Sequence, residues 1–318
     1  PRPDRPAAPP GWIRPRGRTA TDRRRSMNEP PPNPQRVQAT AAITSPANPR
    51  VRAAARLRDA SVRRETGLTL VDGVRELSRC VAAGVEVREV FVNAETGGQH
   101  GESPAARPNT VLAELAARGM LPTPLADRPF RRIAFGDRDE GLVAVVRFRG
   151  GPLERFQPPA GRPLFVIEGV EKPGNLGAIL RSADAAGVGG VIVCGSGTDP
   201  AHPAVIRASL GTVFHLPLAV ATTAETITWC QQHRRLVTAA TPDGDCPWHR
   251  ADLGNESLML LGSEARGIST AWQEAAAAGR LAVTTIVLPM LGVADSLNVS
   301  AAAAVLAYES LRQRQSVG

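Results

Sequence analysis

The 318-residue sequence is poor in cysteine and histidine and has no long apolar run. Its four cysteines, Cys80, Cys194, Cys230 and Cys246, are widely spaced and form no Cys-x-x-Cys pair. With only five histidines beside them, this spacing argues against a zinc site and against a disulfide framework. No metal is therefore expected, and a reducing, cytoplasmic setting fits best. The apolar stretches are too short to span a membrane, so no membrane partner is expected. The first residues lack a continuous apolar core, so no secretory signal is expected. Lysine is almost missing, since Lys172 is the only one among 38 basic residues. That arginine skew, with abundant Ala, Gly and Pro, reads as a bias of base composition. The dinucleotide fingerprint Gly-x-Gly-x-x-Gly is absent as well.

What remains is a chain of globular composition, 42% hydrophobic, long enough for two domains. Its net charge of +8 and pI near 10.6 allow a polyanionic partner, most simply nucleic acid. Part of the excess sits in residues 1–45, rich in Arg and Pro and without periodicity, which read as a disordered tail. Residues 46–150 read as a small α/β unit. It opens with a basic helix, Val51 to Arg64, and continues with a strand at Leu68, a helix from Arg75 to Ala83, a strand from Val87 to Val92, a helix from Val111 to Arg118 and a strand from Gly141 to Arg147. Arg50, Arg52 and Arg56 on the first helix are candidates for RNA phosphate contacts, against the plainer reading of a solvated helix face. A Gly/Pro-rich linker, 151–162, follows. In residues 163–318 strands alternate with helices, which indicates a parallel sheet covered on both faces. Its expected strands include Leu164 to Val170, Gly190 to Cys194, Val213 to Leu218, Arg235 to Ala240, Ser257 to Gly262 and Val283 to Leu288.

Three stretches of this second unit carry chemistry. In Glu168-Gly-Val-Glu-Lys-Pro-Gly-Asn-Leu-Gly-Ala-Ile-Leu-Arg181, a loop follows a buried strand, Asn175 sits at a helix start, and Arg181 lies about one and a half turns further on. In Leu260-Leu-Gly-Ser-Glu-Ala-Arg-Gly-Ile268, Gly262 and Gly267 permit a tight turn from which Glu264 projects. The third stretch runs from the strand ending at Leu288-Pro289 through a loop to Ser296-Leu-Asn-Val-Ser300 and an Ala-rich helix that Asn298 or Ser300 can cap. The apolar first turns of that helix must be buried, and an oligomer interface is one option. Strand, loop and helix start is how α/β proteins build ligand sites at strand carboxyl ends.

Together these stretches resemble the SpoU/TrmH-type RNA 2′-O-ribose methyltransferases of the SPOUT superfamily. The pieces are Pro173-Gly-Asn-Leu-Gly-Ala-Ile-Leu-Arg181, Leu261-Gly-Ser-Glu-Ala-Arg-Gly267, and Leu288-Pro289 with Ser296-Leu-Asn-Val-Ser300. The likeness covers about residues 164–314. Asn48 to Val92, with Leu70-Val-Asp-Gly73, looks like the family's L30e-like RNA-binding domain, although Asp72 stands where Glu is commoner. The resemblance implies a deep trefoil knot at the carboxyl end of the sheet and a homodimer with the site at its interface. It implies that S-adenosylmethionine is held around Gly262, Gly267, Leu288 and Leu297. It also implies a reaction site of Arg181, Asn175, Glu264, Ser296 and Asn298, the arginine acting across the dimer. Those residue types suit the task. Attack by a ribose 2′-hydroxyl builds negative charge on a poor nucleophile, and a fixed guanidinium stabilises that charge without losing its own proton. Neutral Asn and Ser groups orient the ribose. Lys172, in the first-stretch loop, is a further candidate phosphate contact. The expectation is a methyltransferase acting on large-subunit ribosomal RNA. The alternatives are a tRNA-directed or an antibiotic-resistance enzyme, or a non-catalytic ribosome-assembly factor that kept the fold.

Overall fold

The computed structural model describes residues 41–96, 108–135, 140–254 and 256–316. The expected disordered tail lies outside them, apart from its last residues. There Ile43, assigned to the tail by composition, instead pairs with Leu125 and extends the first unit's sheet.

The first unit runs α1 (Pro49–Arg56), α2 (Ala60–Thr66), β1 (Leu68–Asp72), α3 (Val74–Ala82), β2 (Val87–Asn93), α4 (Pro108–Ala117), β3 (Thr123–Leu125), α5 (Asp127–Ile133) and β4 (Leu142–Arg147). Its strands lie in the order β1-β4-β2-β3. The basic helix expected over Val51 to Arg64 is broken in two. Asp59 accepts from the Ser61 N–H at 2.8 Å and so caps a second helix. That local bond competes with helix continuation, and the corner it makes turns Arg63 inward to a buried position.

The second unit runs β5 (Leu164–Glu168), α6 (Pro173–Ala185), β6 (Gly190–Cys194), α7 (Pro203–Ala208), β7 (Leu218–Ala221), α8 (Thr223–Gln232), β8 (Val237–Ala240), β9 (Cys246–Pro247), β10 (Leu258–Leu261), α9 (Thr270–Ala277), β11 (Val283–Val287) and α10 (Val299–Ser316). The strands form one sheet in the order β7-β6-β5-β10-β8-β11-β9, every pairing parallel. The expected strand Val213 to Leu218 is not one. Gly211 takes a left-handed φ of 81°, Thr212–Phe214 coil into a 3-10 turn, and the strand starts only at Leu218. A short apolar run has no period that separates a buried turn from a strand.

The apolar runs of the central strands serve two cores, because successive side chains point to opposite faces. Phe165, Ile167, Met259 and Leu261 pack with Leu176, Ile179, Leu180, Ala303 and Leu306 of α6 and α10. Leu164, Val166, Leu258 and Leu260 pack with Ile227, Trp229, Trp272 and Ala275 of α8 and α9. Along the start of α10, Val299, Ala303, Leu306 and Ala307 are thus buried within the chain, while Ala301 is exposed and Ala302, Ala304 and Val305 are half-buried. The first core continues into the first unit, where Val71, Val74 and Leu77 join Val205, Ile206, Val213 and Phe214. Since β10, β8 and β11 are neighbours and parallel, the loops beyond their carboxyl ends (residues 241–245, 262–269 and 288–298) open on the same end of the sheet.

Candidate active site

The loop after β10 is held shut by its own backbone. The Ser263 N–H donates to the Gly267 carbonyl at 3.0 Å, and the Gly267 N–H returns the bond to Ser263 at 2.9 Å. Gly267 has a φ of 64°. A β-carbon at residue 262 would lie 2.1 Å from the Gly267 carbonyl carbon, so only glycine fits there. This turn places Glu264 at its exposed tip.

Glu264 meets the first turn of α6, which starts at Pro173. There the Asn175 side-chain amide donates to the Glu264 carboxylate, while its carbonyl oxygen accepts from Asn298 Nδ2 at 3.2 Å. Asn298 caps α10, its own Oδ1 accepting the Ser300 N–H at 2.9 Å and the Ser300 hydroxyl at 2.6 Å. Three residues drawn from three distant stretches therefore form one hydrogen-bonded line. Arg181 is exposed on α6, about one and a half turns beyond Asn175. Its side chain makes no hydrogen bond or ion pair among the described residues, and its guanidinium is not engaged by the line. Ser296 is exposed in the loop before α10 and is also unbonded.

Leu288 and Leu297 line an apolar crevice of about 320 Å³ with Trp248, Met290, Leu291 and Val305. Gly262 and Gly267 shape the neighbouring turn rather than this crevice. From Pro289 to Leu297 no residue makes a hydrogen bond among the described residues, and Leu291 and Val293 are 97% and 103% exposed. Of the candidate RNA contacts, Arg52, Arg56 and Lys172 are exposed, and their side chains have no partner among the described residues. Arg50 is not free: its guanidinium binds Glu89 and Thr123 and lies 5.9 Å from the Phe91 ring.

Sequence reasoning missed what fastens the two motif loops together. Glu168, the last residue of β5 and 6% exposed, accepts four hydrogen bonds. They come from Thr223 Oγ1 at 2.6 Å, Ser269 N and Oγ at 2.8 Å each, and Trp272 Nε1 at 3.1 Å. Three residues on, Glu171 pairs with Arg266 at 2.8 Å, and then Asn175 meets Glu264. The segment 168–175 is thus pinned to 264–269 at three successive points. The available signal was a carboxylate closing an otherwise apolar strand, which cannot be buried without partners. Three of the four thiols are held in their neutral form, because burial pushes Cys80, Cys194 and Cys230 up to about 12.

A parallel α/β sheet with a Glu-Asn-Asn line and an apolar crevice at its carboxyl end is the frame of a SpoU-type methyltransferase. The chain belongs to the SpoU rRNA methylase family, whose model matches residues 163–308. Residues 48–144 match the MRM3-like substrate binding domain. The 23S rRNA (uridine(2479)-2′-O)-methyltransferase of Streptomyces viridochromogenes is 34% identical over 263 residues, 79% of this chain and 85% of that protein. The 23S rRNA (guanosine-2′-O-)-methyltransferase RlmB of Bordetella pertussis is 30% identical over 246 residues, 75% of this chain and 94% of that protein. The crystal structure of the SpoU methyltransferase AviRb from Streptomyces viridochromogenes, in complex with the cofactor AdoMet, superposes with a TM-score of 0.71 at 30% identity. It covers 85% of this chain and all of that one.

The residues present fit S-adenosylmethionine. The crevice offers an apolar wall for the adenine, and the unpaired backbone groups of Pro289 to Leu297 offer donors and acceptors for its polar edge.

Proposed function

We propose that the chain is an S-adenosylmethionine-dependent ribose 2′-O-methyltransferase acting on 23S ribosomal RNA. The observation that carries this reading is the line Glu264–Asn175–Asn298 beside the apolar crevice. The cofactor, when bound, supplies an electrophilic methyl group on a sulfonium. Gly262, Gly267, Leu288 and Leu297 hold it, the leucines by apolar contact and the glycines by keeping the turn tight.

Asn175, fixed from both sides, presents its amide to the ribose and target phosphate, and Asn298 and Ser296 complete that surface. Glu264 orients Asn175. Arg181 is the cation for the oxygen that becomes nucleophilic. Its guanidinium keeps its charge throughout, and the hydroxyl proton leaves to water. An exposed arginine whose side chain has no partner among the described residues suits a role at a second subunit's site. We read the protein as a homodimer in which the uncovered Leu291, Val293 and Tyr308 help form the contact. The family's trefoil knot belongs to the same reading. So do an L30e-like RNA-binding domain at 46–150 with Arg52, Arg56 and Lys172 near phosphates, the linker 151–162, the methyltransferase domain 163–318, and a cytoplasmic setting.

The test is transfer of tritium from methyl-labelled cofactor to 23S rRNA, followed by alkaline hydrolysis. Label in alkali-resistant dinucleotides is expected, because a 2′-O-methyl group blocks cleavage at its own phosphodiester. Label confined to bases, or none, would overturn the proposal.

A further inference from the structure

The first unit meets the second along a shared core at α3, β1 and α7, through Arg79 with Leu210 and Arg207 with Phe135, and through the loop after β6; of these, the loop lies on the first motif. Arg63 of α2 has its side chain 2% exposed and pairs with Asp199 of the loop after β6. Its Nε and Nη2 reach Asp199 Oδ2 at 2.8 and 2.7 Å, and its Nη1 donates to the carbonyls of Leu57 and Arg58 at 2.9 and 2.8 Å. The guanidinium is held by the α1–α2 corner and points across to the other unit. Nearby, the Thr69 hydroxyl of β1 donates to the Ala201 carbonyl at 2.5 Å.

The same loop is laid directly on the segment that leads into α6. The Thr198 N–H donates to the Val170 carbonyl at 2.8 Å, and its hydroxyl donates to the Glu171 carbonyl. A β-carbon at Gly197 would lie 2.8 Å from the Val170 oxygen, so the two backbones are in contact. Glu171 in turn pairs with Arg266 of the second motif loop. A continuous path of bonds therefore runs from α2 through Asp199 and Thr198 to Glu171, four residues before Asn175.

We infer that the loop Gly195–His202 is the element through which the substrate-binding unit sets the position of the first-motif loop, and that Arg63 and Thr198 are its positioning residues. This rests on the proposed function for its catalytic readout. Arg63 touches neither cofactor nor the Asn175 line; it fixes where RNA held by the first unit meets them. Buried and bonded to both units, the Arg63 guanidinium holds the loop after β6 in one register against α2. That makes the choice of nucleotide a matter of fixed distance.

The test compares wild type, Arg63→Met and Thr198→Val, all as the full chain, with a 23S rRNA fragment. Expected in both variants are cofactor and RNA affinities within about twofold of wild type, with kcat at saturating RNA lowered about tenfold or more. Label is also expected to spread to nucleotides beside the wild-type site. A purely structural role would lower activity only in proportion to the unfolded fraction and leave the labelled nucleotide unchanged; that result overturns the inference. If Arg63→Met does not fold, Thr198→Val, which keeps the side-chain shape, decides alone. Amide hydrogen exchange gives a reading free of catalysis. Residues 170–175 are expected to exchange faster in either variant, and unchanged exchange overturns the inference even if wild type labels no RNA, which would instead sink the proposed activity.

Discussion

Replacing Glu168 separates two kinds of partner. Its Oε1 faces the hydroxyls of Thr223 and Ser269, which can rotate to accept as well as donate. Its Oε2 faces the Ser269 backbone N–H and the Trp272 indole N–H, which can only donate. In Glu168→Gln the amide oxygen can take the Oε2 position and the NH2 can face the two hydroxyls, so every group stays paired. The loss is charge assistance, about 1 kcal/mol for each of the two fixed donors and about 2 kcal/mol in all. In Glu168→Leu both fixed donors lose their acceptor. The exposed Ser269 amide can turn to water, but Trp272 is fully buried, so the cost is about 4 kcal/mol. Urea unfolding monitored by circular dichroism measures both. Cofactor affinity should follow the same order, near normal in Glu168→Gln and weakened in Glu168→Leu, because Ser269 ends the loop that carries Glu264. Equal destabilisation by Gln and Leu, or cofactor affinity untouched by Leu, would refute this account of the hub.

Gly262→Ala pushes a methyl into the Gly267–Ile268 backbone, so it should cost about 3 kcal/mol by overpacking and weaken cofactor binding in calorimetry. Asp72 is raised to about 7, first by burial, with the Phe135 amide and Arg207 opposing and Glu140 and Glu76 adding. Its unfolded carboxyl ionises near 3.8, so its contribution is full below that pH and declines as pH rises to about 7. Asp72→Asn should flatten stability across that window, by about 4 kcal/mol at most. Arg50→Ala should lower stability and leave the salt dependence of RNA binding unchanged. Arg52→Ala and Arg56→Ala should do the reverse, each reducing the slope of log K against log salt by about one.

The parallel sheet was legible because strands buried on both faces read as unbroken apolar runs, and the motif loops because Gly262, Gly267 and Asn298 have local jobs at turns and caps. The break between α1 and α2 was missed, although Asp59-Ala60-Ser61 is itself a capping signal, because the arginines continue across it. β3 and α5 were missed because Pro122, Pro124 and Pro129 make the stretch read as loop. Their order comes from pairing with β2 and burial of Phe130 and Ile133. No local pattern brings Asn175 to Glu264 and Asn298, which lie 89 and 123 residues away; only the family likeness pointed there. The partners of Glu168, and Asp199 as the partner of Arg63, were out of reach for the same reason, since they lie more than 50 positions off.

Methyl transfer here depends on a permanent cation serving the ribose oxygen, and Arg181→Ala tests that dependence most directly. The Arg181 side chain is exposed and unbonded among the described residues, so its loss should shift stability by no more than about 0.5 kcal/mol. Circular dichroism and cofactor affinity are therefore expected to match wild type, while tritium transfer to 23S rRNA disappears. Transfer at the wild-type rate by a folded, cofactor-binding Arg181→Ala protein would contradict it.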